Sequence, residues 1–396
     1  MNPILRQEQD YILQTYGRLP LIPENAEGMY VYTKDGKKYL DMLGGIAVNV
    51  LGHSDKETIE VIKSQSQKYL HLSNYFYQEP QIGLAEDLCR ISGLDKVFYG
   101  NSGTETTDGS LKLARKWGAE RGKHKIISFK GAFHGRSYGA LSMMDKPNFK
   151  DNMGPFMNGF DIIPFNDPIE LEHAINNNTA AVFFESIQGE GGLSMLSQEV
   201  AEKLKELKNE FDFLLAADEV QSGIGRTGKF SAYEHLEIEP EIVWIAKGLG
   251  GGLPLGAILV SKKLESVFNK GQHGTTFGGN ALSCAVGQVV INRLENGLMD
   301  HVQSISAYLE AVLESIVKSY PELCVEVRGK GLMTGIELTF EARKLVNLLL
   351  EFGIIANSTS ANVLRLVPPL IIEKAHIEEF DYGLRKALDK YSEVLP

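Results

Sequence analysis

An apolar run, Ile242-Val243-Trp244-Ile245-Ala246, ends in Lys247 and is followed by Gly248-Leu249-Gly250-Gly251-Gly252. This reads as a buried strand that delivers one amine to a site at its carboxyl end. Loss of solvation lowers a lysine's pKa and frees a nucleophilic amine, which suits Schiff-base chemistry. A lysine that caps a strand and snorkels to water fits the same residues. A second apolar run, Phe213-Leu214-Leu215-Ala216-Ala217, ends in Asp218. A carboxylate there is expected to be buried, and to need a protonated pyridine nitrogen, a structural arginine or other donors. Ser102-Gly103-Thr104 precedes a helical run from Glu105 to Ala119. Hydroxyls and free amides at a helix start can cradle a phosphate, or act as an ordinary cap. Phe133 can stack on a ring or join the core. Phosphate cradle, buried carboxylate, aromatic face and lysine are together what pyridoxal phosphate requires. The conjunction is far more specific than any member.

The elements that must position these groups alternate. Helices are predicted over 55–70, 80–92, 104–121 and 198–211. Strands are predicted over 97–99, 125–129, 180–184, 213–217, 242–246 and 256–260. Several of the strands are continuously apolar, as in a mostly parallel sheet covered on both faces. Asn101 to Thr104, Phe133 to Arg136, Glu185 to Glu190, Asp218 to Gln221 and Lys247 all follow strands. In open parallel sheets ligands bind at that carboxyl edge, so these clusters are expected to converge on one cleft. Upstream, residues 1 to about 28 read as an arm or short helix. Asp35-Gly36 between two β-rich runs reads as a hairpin. Gly44 to Asn49 reads as a loop lining a pocket or as a plain turn. Downstream come a helical region over about 280–318, strands over 323–327, 332–338 and 363–366, and helices over 340–352 and 373–392. The expected fold is α/β, with an N-terminal arm and part of a small domain over 1–54. A large cofactor-binding domain then covers 55–284 and a C-terminal small α+β domain 285–396.

Composition narrows the class. The chain has 396 residues, of which 43% are hydrophobic and 23% charged, which is ordinary for a globular protein. Its formal charge of -11 argues against a nucleic-acid or anionic-membrane surface. Three scattered cysteines, Cys89, Cys284 and Cys324, form no disulfide framework or CxxC metal site and suggest a reducing compartment. No apolar run reads as a signal peptide or a membrane span, so a cytoplasmic protein is expected. The histidines, His134 and His273 included, lack metal-ligand spacing and read as ordinary polar or buried residues. One rival site is Gly223-Ile224-Gly225-Arg226-Thr227-Gly228-Lys229-Phe230, which fits GxGxxG. It lacks the Ser/Thr of a P-loop at Phe230, and the preceding Asp218 and Glu219 would repel phosphate.

Nearly the whole chain resembles the class III, pyridoxal-phosphate-dependent aminotransferases of fold type I, and most closely their acetylornithine branch. The strings that carry the likeness are NSGTE (101–105), KLARKW (112–117), FHGR (133–136), QGEGG (188–192), DEVQSGIGRTGKF (218–230), AKGLGGGLPLGA (246–257) and TTFGGN (275–280). The resemblance implies that Lys247 binds the cofactor covalently and moves the proton during transfer. Asp218 would hold the pyridinium nitrogen, with Val220 and Gln221 beside the ring and Phe133 stacked on it. Ser102, Gly103 and Thr104 would hold the phosphate. Thr276 would reach the phosphate of a neighbouring subunit, which implies a homodimer. Arg136 would bind the substrate's distal carboxylate, and Arg365 the α-carboxylate of glutamate. With an ω-amine donor Arg365 would be unpaired, and Glu190 is placed to pair with it. Thr275 is expected near the donor's acyl end. Ile46 stands where similar ornithine enzymes carry a tyrosine, and suits an acylated amine. The implied reaction passes the ω-amino group of N-acetylornithine to 2-oxoglutarate, in arginine biosynthesis. N-succinylornithine, free ornithine or 4-aminobutyrate are the nearest other donors. Two departures from the family pattern bear on the acyl pocket: Thr106 to Ser110, and Ser186 in place of a proline.

Overall fold

The computed structural model describes residues 3–393. The outermost positions of the expected units 1–54 and 285–396 lie outside those residues. At its centre is a sheet of seven strands in the order Lys96–Gly100, Gly256–Val260, Ile242–Ile245, Leu214–Asp218, Thr179–Glu185, Lys125–Phe129, Phe160–Ile163. Every neighbouring pair is parallel except the two made by Gly256–Val260, which runs antiparallel to both its neighbours. The apolar runs are continuous because both faces are covered. Every residue of Thr179–Glu185, Leu214–Asp218 and Ile242–Ile245 is buried. Burying a side chain as large as Phe183 or Trp244 contributes about 2–3 kcal/mol.

The helix Gly103–Ala119 packs on Thr179–Glu185, Ile242–Ile245 and Gly256–Val260. Its middle is lined by small buried residues, Thr106, Thr107, Gly109 and Ser110, that let it approach closely. A Cβ on Gly109 would lie 2.5 Å from Ile258 Cδ1. The helices Lys56–Lys68, Glu79–Ser92 and Gln198–Phe211 fall where the periodicity puts them. The edge strand Phe160–Ile163 and the helix Pro168–Ala174 were not predicted. Each is short, so too few residues carry the period.

The helical region after 280 is two helices, Ala281–Arg293 and Met299–Ser319, separated by a kink at Asn296 and Gly297, where Gly297 takes φ 107°. The expected boundary at 284/285 falls within the first of these. Cys324–Lys330, Met333–Leu338, Val363–Leu366 and Asn357–Thr359 form an antiparallel sheet in that order. Ala342–Glu351 and Lys374–Ser392 lie alongside the C-terminal elements. Near the start, Pro23–Glu27, Tyr30–Thr33 and Lys38–Asp41 form a meander around Asp35-Gly36, with Gly36 at φ 78°. Its last strand pairs in parallel with Ile354–Ile355, so segments far apart in the chain share a sheet. Among the described residues no helix is long and apolar enough to cross a membrane.

Candidate active site

The carboxyl ends of the parallel strands open into a cleft of about 380 Å³. Ser102, Gly103, Thr104, Phe133, Glu190, Asp218, Val220, Gln221 and Lys247 all line it. Lys247 opens a single 3-10 turn, Lys247–Gly250, and has φ 45°. A left-handed lysine costs about 1–2 kcal/mol and persists only where its surroundings enforce it. Here the turn is wedged against a neighbouring loop: a Cβ on Gly248 would lie 2.7 Å from Val50 Cγ1. Burial, helped by the positive charge of Arg365, pulls the Lys247 pKa down to about 8 against Asp218, Glu190 and Glu185. About a tenth of this amine is therefore unprotonated at pH 7, against well under a thousandth for an ordinary lysine, which supplies the nucleophile.

Asp218 is buried, and its partner is a histidine. Its Oδ2 lies 2.8 Å from His134 Nδ1, and its Oδ1 accepts from Val220 N at 3.0 Å. Burial pulls the His134 pKa down, but the hydrogen bond to Asp218 and its charge outweigh that and raise it. The His134 ring behind Asp218 fixes the carboxylate where it lines the cleft. His134 was read as an ordinary polar or buried residue. It is buried, but it belongs to the site, and its position next to Phe133 in FHGR was the available signal. Glu185 lies in the same layer, accepting from Phe133 N at 2.9 Å and Gly189 N at 3.2 Å. Burial raises its pKa.

The phosphate-type end is built on the helix Gly103–Ala119. Ser102 is its N-cap, with its hydroxyl accepting from Glu105 N at 3.3 Å. The cap reading and the cradle reading thus describe one residue. The amides of Gly103 and Thr104 have no acceptor among the described residues. They point out of a 17-residue helix at its positive end, where an anion is stabilised. The walls are too close for larger side chains. A Cβ on Gly135 would lie 2.7 Å from Thr104 Oγ1, and one on Gly103 2.8 Å from Val220 Cγ1.

Behind the part of the cleft wall made by Gly189, Glu190 and Gln221 lies Arg365, 2% exposed. Its Nη1 donates to Glu190 Oε1 at 2.6 Å, Gly189 O at 2.8 Å and Gln221 Oε1 at 3.3 Å, and its Nε to Asn357 Oδ1 at 3.1 Å. Arg136 is exposed and stacks on Phe149, with its guanidinium carbon 3.6 Å from the ring centroid. Arg136, Arg365, Thr275, Thr276 and Ile46 are not among the residues that line the cleft. Thr275 Oγ1 accepts from Asn101 Nδ2 at 3.2 Å, and Thr276 is exposed beside it. Ile46 is exposed in a run of left-handed residues, Gly44 to Ala47.

The remaining motifs take structural places. The loop Gly223–Lys229 turns its amides inward: Gly223 N bonds Glu219 O, Gly225 N bonds Phe230 O and Gly228 N bonds Gly225 O. Arg226 is buried on the carbonyls of Leu332 and Pro368. The loop offers no amide nest to a nucleotide. Ser186 donates to the buried Glu219 at 3.2 Å, and Asp108 accepts from Ser137 at 2.7 Å. No group of residues able to hold a metal ion occurs among the described residues.

The aminotransferase class-III family model matches residues 11–388. The chain belongs to the class III aminotransferases. It is therefore a pyridoxal-phosphate-dependent transaminase of fold type I. An acetylornithine aminotransferase of Methanocaldococcus jannaschii is 43% identical over 97% of this chain and 96% of its own length. The solved ornithine aminotransferase of Toxoplasma gondii superimposes with a TM-score of 0.94 at 29% identity, covering 98% of this chain and 95% of that one. The N-acetylornithine aminotransferase of Stenotrophomonas maltophilia gives 0.85 at 31% identity, covering 99% and 100%. The residues of this aminotransferase fit the cofactor: two free helix-start amides for a phosphate, a buried carboxylate for a ring nitrogen, and a lysine of lowered pKa in the same cleft.

Proposed function

We propose that this aminotransferase passes the ω-amino group of N-acetylornithine to 2-oxoglutarate, giving N-acetylglutamate semialdehyde and glutamate, reversibly, in arginine biosynthesis. Bound pyridoxal phosphate supplies the electron sink and carries the amino group between the half-reactions. Lys247 is the covalent anchor and proton carrier. Asp218, backed by His134, holds the ring nitrogen's proton. Ser102, Gly103 and Thr104 hold the phosphate, while Phe133, Val220 and Gln221 confine the ring. Arg136 takes the distal carboxylate of either substrate.

The observation that carries the reading is the Arg365–Glu190 pair within reach of Lys247. An ω-amine donor has no carboxylate beside its reacting carbon, and a buried unpaired arginine would be costly. Glu190 neutralises Arg365 for that donor and yields it to the α-carboxylate of glutamate. Ile46 offers no acceptor for a free α-amino group, which favours an acylated donor over free ornithine. Relatives named acetylornithine aminotransferase at 42–43% identity point to the same donor.

The reading extends to assembly: a cytoplasmic homodimer in which Thr275 and Thr276 serve the partner's cleft. Support comes from their place outside their own cleft. It also retains the division into 1–54, 55–284 and 285–396, supported by the pairing of Ile354–Ile355 with Leu40–Asp41.

The test is the absorption spectrum of the cofactor-loaded enzyme on adding N-acetylornithine without keto acid. Bleaching of the yellow band establishes the donor. A band untouched by it, but bleached by N-succinylornithine, ornithine or 4-aminobutyrate, replaces the donor and keeps the chemistry.

A further inference from the structure

If Glu190 leaves Arg365 whenever a substrate α-carboxylate arrives, its own negative charge needs a new partner. The surroundings restrict the choice. Arg365 is then occupied by the α-carboxylate and Arg136 by the distal one. Arg328, which donates to Gly192 O at 3.5 Å, is already paired with Glu326 and Glu337. Lys146 is different. Its ammonium donates to the backbone carbonyl of Glu190 itself at 3.1 Å. It is half-buried, and no carboxylate lies within ion-pair distance of it among the described residues. A glutamate side chain has three rotatable bonds and can fold its carboxylate back toward its own carbonyl. Lys146 is therefore a cation in place, fixed to the moving residue's backbone and free of any competing anion.

The loop that carries Lys146 is itself anchored. Asp145 Oδ1 accepts from Gly131 N at 2.9 Å, and Lys150 donates to Met144 O at 3.1 Å. Three residues beyond Lys146, Phe149 stacks under Arg136. The backbone of Glu190 is held as well, since its carbonyl also accepts from Ser360 Oγ at 3.3 Å. Its side chain remains 33% exposed, so only the carboxylate needs to travel.

We propose that Lys146 receives the Glu190 carboxylate when a substrate α-carboxylate takes Arg365, and so acts as a positioning residue that sets how readily the site accepts glutamate. This rests on the reading of Glu190 as the group that yields Arg365. Lys146 stabilises the displaced arrangement and touches neither substrate.

The test measures the two half-reactions separately by stopped-flow absorbance on cofactor-loaded enzyme, with glutamate alone and with N-acetylornithine alone. Lys146→Met is expected to weaken glutamate binding about tenfold, with the maximal rate little changed, as for loss of one partner of a charge pair. The N-acetylornithine half is expected to change by less than about twofold, because Glu190 stays on Arg365 there. Lys146→Arg should restore most of the glutamate affinity. In a Glu190→Gln background, where no charge has to be received, Lys146→Met should have no further effect on the glutamate half. Equal losses in both halves, or a glutamate-specific loss that persists with Glu190→Gln, would overturn the proposal for Lys146 alone. If Glu190→Gln by itself leaves the balance between the two halves unchanged, the yielding role of Glu190 fails and the role of Lys146 fails with it.

Discussion

Lys247 and Arg365 set each other's chemistry. Burial and the neighbouring guanidinium bring the lysine down to about 8 from 10.5, so in cofactor-free enzyme its amine is half deprotonated near pH 8. Its acylation rate, followed by mass spectrometry, should climb with pH to a plateau with a midpoint near pH 8. Arg365→Gln should move that midpoint upward, because a positive charge that disfavours the ammonium is gone. A midpoint at the ordinary lysine value would remove the case for a desolvated nucleophile. Arg365→Ala should reduce the glutamate half-reaction by about 100-fold, the loss of a two-pronged charge-assisted contact, and the N-acetylornithine half by far less. Equal losses in single-turnover assays would argue against the shared site. At this scale most of the cleft was legible in sequence, because Lys247 and Asp218 each interrupt an apolar run, where a charged group needs a reason. His134 was not legible. A histidine acquires meaning from what its ring touches, and Asp218 is 84 positions away in the chain.

Among the elements, the turn Gly44–Ala47 stands out. Its four residues have φ of 54°, 64°, 64° and 63°, one turn of left-handed backbone, and two of them carry a Cβ. Asp41 holds it, accepting from Leu43 N and Gly44 N at 2.9 Å each and meeting His53 Nε2 at 2.7 Å. Such strain is retained where a side chain must be presented at one place. Ile46 is 43% exposed, so removing its side chain still gives up about 1 kcal/mol of burial. The relief of about 1–2 kcal/mol of left-handed strain offsets that loss and the freer unfolded chain, so Ile46→Gly should leave stability within about 1 kcal/mol of wild type, read from urea midpoints, while weakening N-acetylornithine binding. A loss of about 2 kcal/mol or more would show that the turn is not strained. The sequence marked this stretch as a loop, but its hand was hidden because isoleucine and alanine seldom adopt it. The reversed strand Gly256–Val260 was equally hidden, since a buried antiparallel strand and a parallel one are both continuously apolar.

On the scale of the molecule, one stretch of surface is strongly apolar. Tyr75 and Tyr77 are 96% and 99% exposed, and Leu70, Phe76, Ile82 and Phe277 add to the exposed apolar surface of the 70–82 and 275–280 segments. Asn74 ties these segments together, donating to Thr275 O at 3.2 Å and Gly278 O at 3.1 Å. Exposed patches of this kind mark association sites. The protein should sediment as a dimer. Tyr77→Ser combined with Phe277→Ser should shift it toward monomer and lower cofactor retention, the outcome expected of the proposed role of Thr276 in a neighbouring cleft. A wild-type monomer with full activity would sink the shared-site reading. By itself the sequence determined the alternation of elements, the edge of the sheet where polar groups gather, and the family, because apolar periodicity and short motifs are local properties of the chain. The family likeness already put Glu190 opposite Arg365, a pairing the tertiary structure realises; the tertiary structure alone decided that His134 backs Asp218 and that Lys146 is left beside Glu190 with no carboxylate paired to it among the described residues. Those pairings join residues 44 to 175 positions apart. A charge's partner is set by where the packed elements leave it, and local pattern carries no record of that distance.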